Sequence, residues 1–432
     1  MEIYSIILLQ LLEVYMKKHH NGSKKIIVLI VLIMLCLIVG IVAFLYLKKE
    51  RIDNKINDVN NHYSEIVITN KKSNIYIYNN DEYIKVGTIE RGILLSLEKQ
   101  IIDENTKYFI INSLDEKYYI DYRNVEKSSN TLKDKDARYK KYIPFNLNAT
   151  GDVINLYKND KLVYSFSKKM SLPIYIKDDD KYYVEYNDDL FEVEKDEVKV
   201  IENNNTDEVN TKEIGVFNYH FFWDDDTENH SECNQIICHS KSQFKKHLDY
   251  IRDNNIFTLK MNELELYIDG KIQLPKSVVI TIDDGWRSQL GIELLNEYKL
   301  NGTLFLITGD YNPKDYGSEY VELHSHTDKL HTGGKCSGGQ GGGIKCLPED
   351  EILNDLKVSR EKLNGSTVLC YPFYEFNDYS IKLAKEAGFT MAFAGESSYK
   401  NNHVTVGSNK YKLPRFVVVD YTKMTEFTEF IG

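Results

Sequence analysis

The chain has 432 residues, more than one ordinary domain needs, and with 42% hydrophobic and 28% charged residues it can bury a core, which excludes wholesale disorder. Its 54 Lys and Arg against 65 Asp and Glu leave a net charge of −11, which argues against a nucleic-acid partner, whose affinity rests on clustered cations. Only 7 Pro accompany 32 Tyr, a balance that favours β-structure.

Residues 26–47, IIVLIVLIMLCLIVGIVAFLYL, contain no charge. At about 1.5 Å rise per residue such a run spans a hydrocarbon core of roughly 30 Å. Lys17, Lys18, Lys24 and Lys25 precede it; Lys48, Lys49 and Arg51 follow, diluted by Glu50, Asp53 and Asp58. We expect an uncleaved single-pass anchor in a cell membrane, with residues 1–25 cytoplasmic and everything after the span extracytoplasmic. A cleaved signal peptide would have a shorter apolar region and a small-residue site, and Val39–Ala43 makes a poor one. Residues 1–15 form a second apolar run too short to span, and Met16 is an alternative start.

Residues 48–62 are polar and read as a stalk. Short alternating runs then follow, split by Asn, Asp and Gly: EIVITN, NIYIYN, YIKVGTI, KYFIIN and KYYIDY in 63–128, and DVINLYK, KLVYSFS, LPIYIK and KYYVEYN in 129–201. These predict two small antiparallel β modules. Their matched ends, KYYIDYRNVEKS and KYYVEYNDDLFEVEK, resemble the SH3-like modules of bacterial cell-wall proteins, with wall-polymer binding or a rigid spacer as alternative roles. The acidic, Asn-rich residues 202–214 read as a linker.

From 215 to 432 strands alternate with helices. GVFNYH predicts a strand, Ser242–Asn254 a helix with Phe244, Leu248 and Ile251 on one face, and Ser277–Asp283 a parallel strand covered on both sides. Helices at Gln289–Tyr298 and Glu349–Leu363 and strands GTLFLIT, STVLCYP, FTMAFA and RFVVVD complete the pattern. The expected class is α/β: a distorted (β/α) barrel, preceded by a transmembrane helix and small all-β modules, with its chemistry at the C-terminal ends of the strands.

Cys233/Cys238 and Cys336/Cys346 are local pairs in polar loops, pointing to loop-closing disulfides in an exported protein; four free thiols are the alternative. Cys36 in the span and Cys370 in an apolar run read as free and buried. The stretch Gly333–Gly343 has seven glycines and lacks the phosphate-loop pattern, so a flexible rim or a disordered insertion is expected. Trp286 can stack on a sugar or pack over the barrel mouth.

The polar residues gather at strand ends. Asp283-Asp284-Gly285 ends one strand, His324-Ser325-His326 another with His331 five residues on, Tyr371-Pro372 a third and His220 a fourth; Arg415 opens the last. Paired Asp before Gly is often only a turn. One carboxylate with two imidazoles, however, matches a three-ligand catalytic metal site with an open position, and the spare Asp is suited to be a base.

These residues carry a resemblance. TIDDGW (281–286), HSHTDKLH (324–331), CYPFYEFND (370–378) and KLPRFVV (412–418) closely resemble the motifs of NodB-like polysaccharide deacetylases, carbohydrate esterase family 4. NYHFF (218–222), ahead of the metal motif, resembles the family's permuted branch. The resemblance covers about residues 215–432. It implies that Asp284, His326 and His331 bind one divalent ion, with zinc expected and cobalt, nickel or manganese as alternatives. It also implies Asp283 as general base, Arg415 orienting it, His220 as general acid and the Tyr371 backbone N–H as an oxyanion donor. Ile282 and Tyr374 depart from the pattern, standing where Phe and Gly are usual, and no C-terminal motif histidine is present; His403 is the alternative acid. His324 is expected to be structural. The implied activity is N-deacetylation of a cell-wall glycan, with peptidoglycan N-acetylglucosamine first. Poly-N-acetylglucosamine, an O-acetyl ester and a non-catalytic wall-binding role are the alternatives. A monomer is expected.

Overall fold

The computed structural model describes residues 30, 33–34, 37–51, 66–101, 108–111, 113, 116–129, 137–203, 210–394 and 403–432. The expected cytoplasmic segment, most of the stalk and residues 204–209 of the linker lie outside the described residues, as do parts of the expected span, Cys36 included. Residues 37–51 are helical. Among the described residues no helix is long and apolar enough to cross a membrane.

The chain divides into two compact units, Met1–Lys133 with Val163–Phe166, and Asp134–Leu162 with Ser167–Gly432. In the first, antiparallel strands follow the short alternating runs. Ser73–Asn79 pairs with Glu82–Ile89 through Asn80-Asp81, both at positive φ (48° and 61°), the backbone of a two-residue hairpin turn. Val67, Ile75, Ile89, Phe109, Ile110 and Ile120 are buried between the strands.

The second unit holds the α/β region, whose elements we number from its start. The strands are β1 (Gly215–Tyr219), β2 (Phe221–Trp223), β3 (Cys238–Ser240), β4 (Phe257–Thr258), β5 (Ser277–Asp284), β6 (Gly302–Leu306), β7 (Val321–Ser325), β8 (Val368–Cys370), β9 (Met391–Phe393) and β10 (Phe416–Val417). The helices are α1 (Lys241–Asp253), α2 (Met261–Ile268), α3 (Gln289–Tyr298), α4 (Glu349–Lys362), α5 (Asp378–Glu386) and α6 (Met424–Ile431). Seven strands lie parallel in the order β9-β8-β7-β6-β5-β1-β10, with β4 also beside β5. A parallel bridge from Phe393 to Leu413 brings the run leading into β10 against β9, so the sheet curls back on itself. The expected strand over 415–420 shortens to two residues, and α2, α5 and α6 are additions to the predicted pattern.

Alternation along β5 separates two cores. Val278, Ile280 and Ile282 pack with Phe244, Leu248 and Ile251 of α1, Ile292 and Leu295 of α3, and Phe427 and Phe430 of α6. Val279 packs inside the curl with Val216, Phe305, Val368, Cys370 and Phe393. Thr281 and Asp283 continue that inward face, so the pleat alone points the Asp283 carboxylate into the curl.

An antiparallel β region, 147–162 with 170–202, belongs to this same unit. Its hairpin Lys181–Tyr186/Asp189–Glu194 turns on Asn187-Asp188, again at positive φ (52° and 62°). Isolated bridges Ile143–Gln273 and Ile176–Ile272 tie it to the α/β region. Glu263 of α2 is 2% exposed and takes hydrogen bonds from Arg138 Nε at 2.8 Å and the Tyr142 hydroxyl at 2.9 Å. A buried, bonded ion pair of this kind makes the β region part of the catalytic unit's core rather than a bead on a string.

Both local cysteine pairs are disulfides, Cys233–Cys238 and Cys336–Cys346, and Cys370 is free and buried.

Candidate active site

Asp283 and Asp284 end β5, and the chain breaks from extended geometry at Asp284 (φ 74°) and Gly285 (φ 118°). A side chain at 285 would strike Leu306 and Tyr311 at 2.8 Å, so this turn requires glycine. The bend separates the two carboxylates. Asp283 stays on the inward face, 1% exposed, gripped by Arg415 from Nη1 to Oδ1 at 2.8 Å and Nη2 to Oδ2 at 2.9 Å. Arg415 also reaches Thr281 Oγ1 at 3.2 Å and Cys370 Sγ at 3.0 Å, and the Cys370 thiol lies 3.5 Å from Asp283 Oδ2. Burial works against ionising Asp283, but Arg415 and the neighbouring imidazoles outweigh it and hold the carboxyl well below the usual range.

Asp284 faces the loop after β7. Its Oδ1 lies 3.3 Å from His326 Nε2 and 3.5 Å from His331 Nε2, and donor atoms of the three residues all fall within 4.8 Å of one another. His326 Nδ1 meets the Cys370 carbonyl at 2.9 Å, so Nδ1–H donates there and Nε2 turns its lone pair toward Asp284. Asp284 Oδ1 is buried without a hydrogen-bond partner. A buried anionic oxygen facing two imidazole nitrogens suits a divalent cation, and the donor set of one carboxylate and two histidines fits zinc-type coordination. Burial first, then the adjacent His326, lower the His331 pKa to about 4, so it is a neutral donor at pH 7.

The ligand loop is held from behind. Asp355 of α4 accepts the backbone N–H groups of Asp328 at 2.8 Å and Lys329 at 2.7 Å, and Ser359 Oγ meets Ser325 Oγ at 2.7 Å. His324 points away, with Nδ1 2.8 Å from Ser366 Oγ, and takes no part in the cluster.

His220, just past β1, lies with Nε2 3.9 Å from Asp283 Oδ2 and is 8% exposed; burial lowers its pKa, against the pull of Asp283 and Asp284. His403 is remote from this cluster in its bonding, with Nε2 on the Phe430 carbonyl at 2.7 Å.

Two expectations need correction. The Tyr371 N–H does not face the site: it donates to the Phe393 carbonyl at 3.1 Å, because Tyr371 still continues the β8–β9 ladder. Two residues on, the chain turns at Phe373 (φ 57°) and Tyr374 (φ 61°). The Phe373 amide has no hydrogen-bond partner among the described residues, and its ring sits 4.3 Å from His331. It is the free donor in this motif.

The glycine-rich stretch, in turn, is an ordered cradle. Glu375 accepts N–H groups of Gln340 at 2.5 Å and Gly342 at 2.7 Å and pairs with Lys345 at 2.9 Å, inside the loop closed by Cys336–Cys346. The amides of residues 340 and 342, with the Gly341 N–H between them turned to the Gly338 carbonyl, form a nest around one carboxylate, and glycine lets the backbone approach. A Cβ at Gly339 would stand 1.8 Å from Glu375 Oε1. Trp286 is 40% exposed, in a T-shaped contact with Phe221 at 4.7 Å and with the Arg287 guanidinium over its ring at 5.8 Å. Local sequence did not single out Asn218, Asp355, Glu375 or the Phe373 amide; only the spacing of Asn218 two residues before His220, on the same strand face, was available as a signal.

A clamped carboxylate thus stands beside an Asp–His–His set that could hold a metal ion, at the C-terminal ends of a curled parallel sheet. Residues 271–392 match the polysaccharide deacetylase family. YxkH of Bacillus subtilis (strain 168), which carries the name of a polysaccharide deacetylase, is 25% identical over 170 residues; the match takes in 36% of this chain and 58% of that protein. Among solved structures, a de-N-acetylase from Aggregatibacter actinomycetemcomitans is 20% identical over 50% of this chain and 99% of that one, with a TM-score of 0.42. IcaB from Ammonifex degensii is 18% identical over 52% and 97%, also at 0.42. The Streptococcus pyogenes deacetylase PplD, in complex with acetate, is 15% identical over 52% and 100%, at 0.42.

Proposed function

We propose that this protein hydrolyses N-acetyl groups from a cell-wall glycan, with peptidoglycan N-acetylglucosamine as the first candidate, in a metal-dependent reaction. The observation that carries the reading is Asp283, ionised and clamped by Arg415, beside the Asp284–His326–His331 donor set.

A divalent ion held there, zinc by its donor set, would supply Lewis acidity toward the acyl oxygen and acidify the attacking water. Asp283 takes the proton from that water. Arg415 keeps Asp283 ionised and oriented, since both its oxygens are already bonded to the guanidinium. The Phe373 N–H, unengaged in a residue whose ring lies against His331, donates to the oxygen on which charge develops. His220 Nε2, beside Asp283, is the acid partner of the departing amine: its N–H hydrogen-bonds that nitrogen while the proton Asp283 took from water is passed on to it, so carboxylate and imidazole end as they began. Trp286 offers its exposed part to a sugar ring. With its proposed acid His220 ahead of the metal motif, we read the chain as resembling the permuted branch of these deacetylases.

We read residues 26–47 as a single-pass membrane anchor, with the catalytic unit outside the cytoplasm. Support comes from the uncharged run, the exposed apolar side chains of its described part (Leu37, Ile38, Ile41, Phe44 and Leu45 among them) and the two disulfides, which suit an oxidising compartment. The β regions are read as SH3-like modules, and the protein as a monomer with the wall polysaccharide as its partner.

The test is acetate release by the full chain from peptidoglycan, poly-N-acetylglucosamine and acetylated xylan, with and without chelator and added zinc, cobalt, nickel or manganese. Metal-restored release that is greatest on peptidoglycan is the expected result. Release unaffected by chelation, or an Asp283→Asn variant as active as the parent, overturns the reading. Preference for another polymer overturns the substrate alone.

A further inference from the structure

Tyr374 occupies a strained position for a residue with a side chain, at φ 61° directly after Phe373 at φ 57°. Left-handed backbone at non-glycine residues is sterically disfavoured and persists where the surroundings enforce it, often at functional sites. What the strain achieves is the placement of one hydroxyl. Tyr374 Oη lies 2.7 Å from Asn218 Oδ1 and 3.3 Å from His220 Nε2, and its ring sits 5.3 Å from the Arg415 guanidinium. Burial raises the phenol's pKa, so the group keeps its single proton.

Where that proton points follows from Asn218. The Asn218 Nδ2 donates to the Tyr219 carbonyl at 3.1 Å, which turns Oδ1, an acceptor only, toward Tyr374. The phenol therefore donates to Asn218, its shorter contact, and presents a lone pair to His220. At the other end of the imidazole, His220 Nδ1 is buried with no partner. A proton on Nδ1 would be an unsatisfied buried donor, which is costly, whereas a proton on Nε2 has the phenol oxygen to bond. Both ends of the ring favour the same tautomer.

We propose that Tyr374, backed by Asn218, is a positioning residue that holds the proton of neutral His220 on Nε2, the nitrogen that faces Asp283. The role rests on the reading of His220 as the group serving the departing amine: its N–H is aimed into the site before substrate arrives, and the phenol is an acceptor that steadies the ring. No proton leaves in this arrangement; the phenol and amide decide only where it resides.

The test uses the full chain labelled with 15N-histidine, in detergent, with a His220→Gln variant to assign the ring signals. Wild type is expected to show Nε2 protonated and Nδ1 bare. In Tyr374→Phe the ring loses its acceptor and the two tautomers mix; kcat for acetate release falls about tenfold with KM within about twofold, as for one lost hydrogen bond to a reacting group. In Asn218→Ala the phenol is free to donate to Nε2, so the ring proton moves to Nδ1. A wild-type ring protonated on Nδ1, or wild-type ring signals in both variants, overturns the proposal. Because the ring signals need no turnover, they decide it even if no glycan is deacetylated. The expected signals without acetate release from any glycan would sustain the positioning role and overturn only the proposed function.

Discussion

Arg415 closes both terminal nitrogens on both oxygens of Asp283, although 132 residues separate them and neither side chain is more than 1% exposed. Two charges this deeply buried are costly alone and tolerable only together. The pair therefore ties fold and chemistry to one contact. Arg415→Met, which strands the carboxylate, should destabilise the protein by about 3–5 kcal/mol, measured by urea unfolding. Asp283→Asn keeps an acceptor for the guanidinium and should destabilise less, while lowering acetate release by about 100-fold or more.

His326 and His331, the imidazoles proposed to hold the ion, reach Asp284 from a loop whose amides are held by Asp355. Asparagine at 355 can accept from only one of the two N–H groups with its single oxygen and sets an NH₂ against the other. Asp355→Asn should weaken zinc binding by about 10–100-fold, the usual effect of losing an outer support, with the global fold intact. Competition with a chromophoric chelator measures it; unchanged affinity would show that the loop holds its shape without Asp355.

Acid should destabilise the unit through buried neutral histidines. Burial lowers His247 to about 4 and His239 to about 3, from an ordinary value of 6.5. Both folded pKa values lie below the unfolded ones, so the stability these rings contribute is complete above pH 6.5 and is lost as pH falls toward 4. Asp355 opposes them: burial pushes its carboxyl up to about 6, so its share falls as pH rises from 4 to 6. Among these three groups, two protons against one give a slope of about 1.4 kcal/mol per pH unit, and the likewise lowered His331 and His220 act in the same direction, stability rising with pH. Melting temperatures between pH 4 and 7 should follow that sign, and His247→Gln should flatten the curve.

Two glycines of the disulfide-closed loop should behave differently. Gly334 (φ 73°) has open space where a Cβ would go, so Gly334→Ala carries only the left-handed penalty of about 1 kcal/mol. Gly339 (φ 61°) would add a collision with the Glu375 carboxylate, and Gly339→Ala should cost about 2 kcal/mol more, through loss of the nest. Urea unfolding of the two variants side by side is the measurement. Equal effects would mean that the cradle yields without cost.

Much of this protein is written locally. The apolar run Ser277–Asp283 is a buried parallel strand because seven successive residues there lack a solvent face. The acidic and imidazole residues fall at strand ends because the apolar runs stop where they begin. Cys233–Cys238 and Cys336–Cys346 pair because short separations leave few other partners. Resemblance to a family added roles for residues, such as Arg415, that no local pattern marks.

The remainder depends on how the sheet curls. Whether an amide near a motif is free or spent on a ladder is settled by the neighbouring strand: β9 takes the Tyr371 N–H and leaves that of Phe373. Seven glycines in eleven residues look like slack until Glu375, 35 residues from Gln340, supplies the charge they fold around. Tyr374 looks like a surplus side chain until Asn218, 156 residues away, fixes its hydroxyl. Composition and periodicity record which residues are buried and which strands form. They carry nothing about which distant donor meets which acceptor, because that pairing exists only once the strands have closed upon one another.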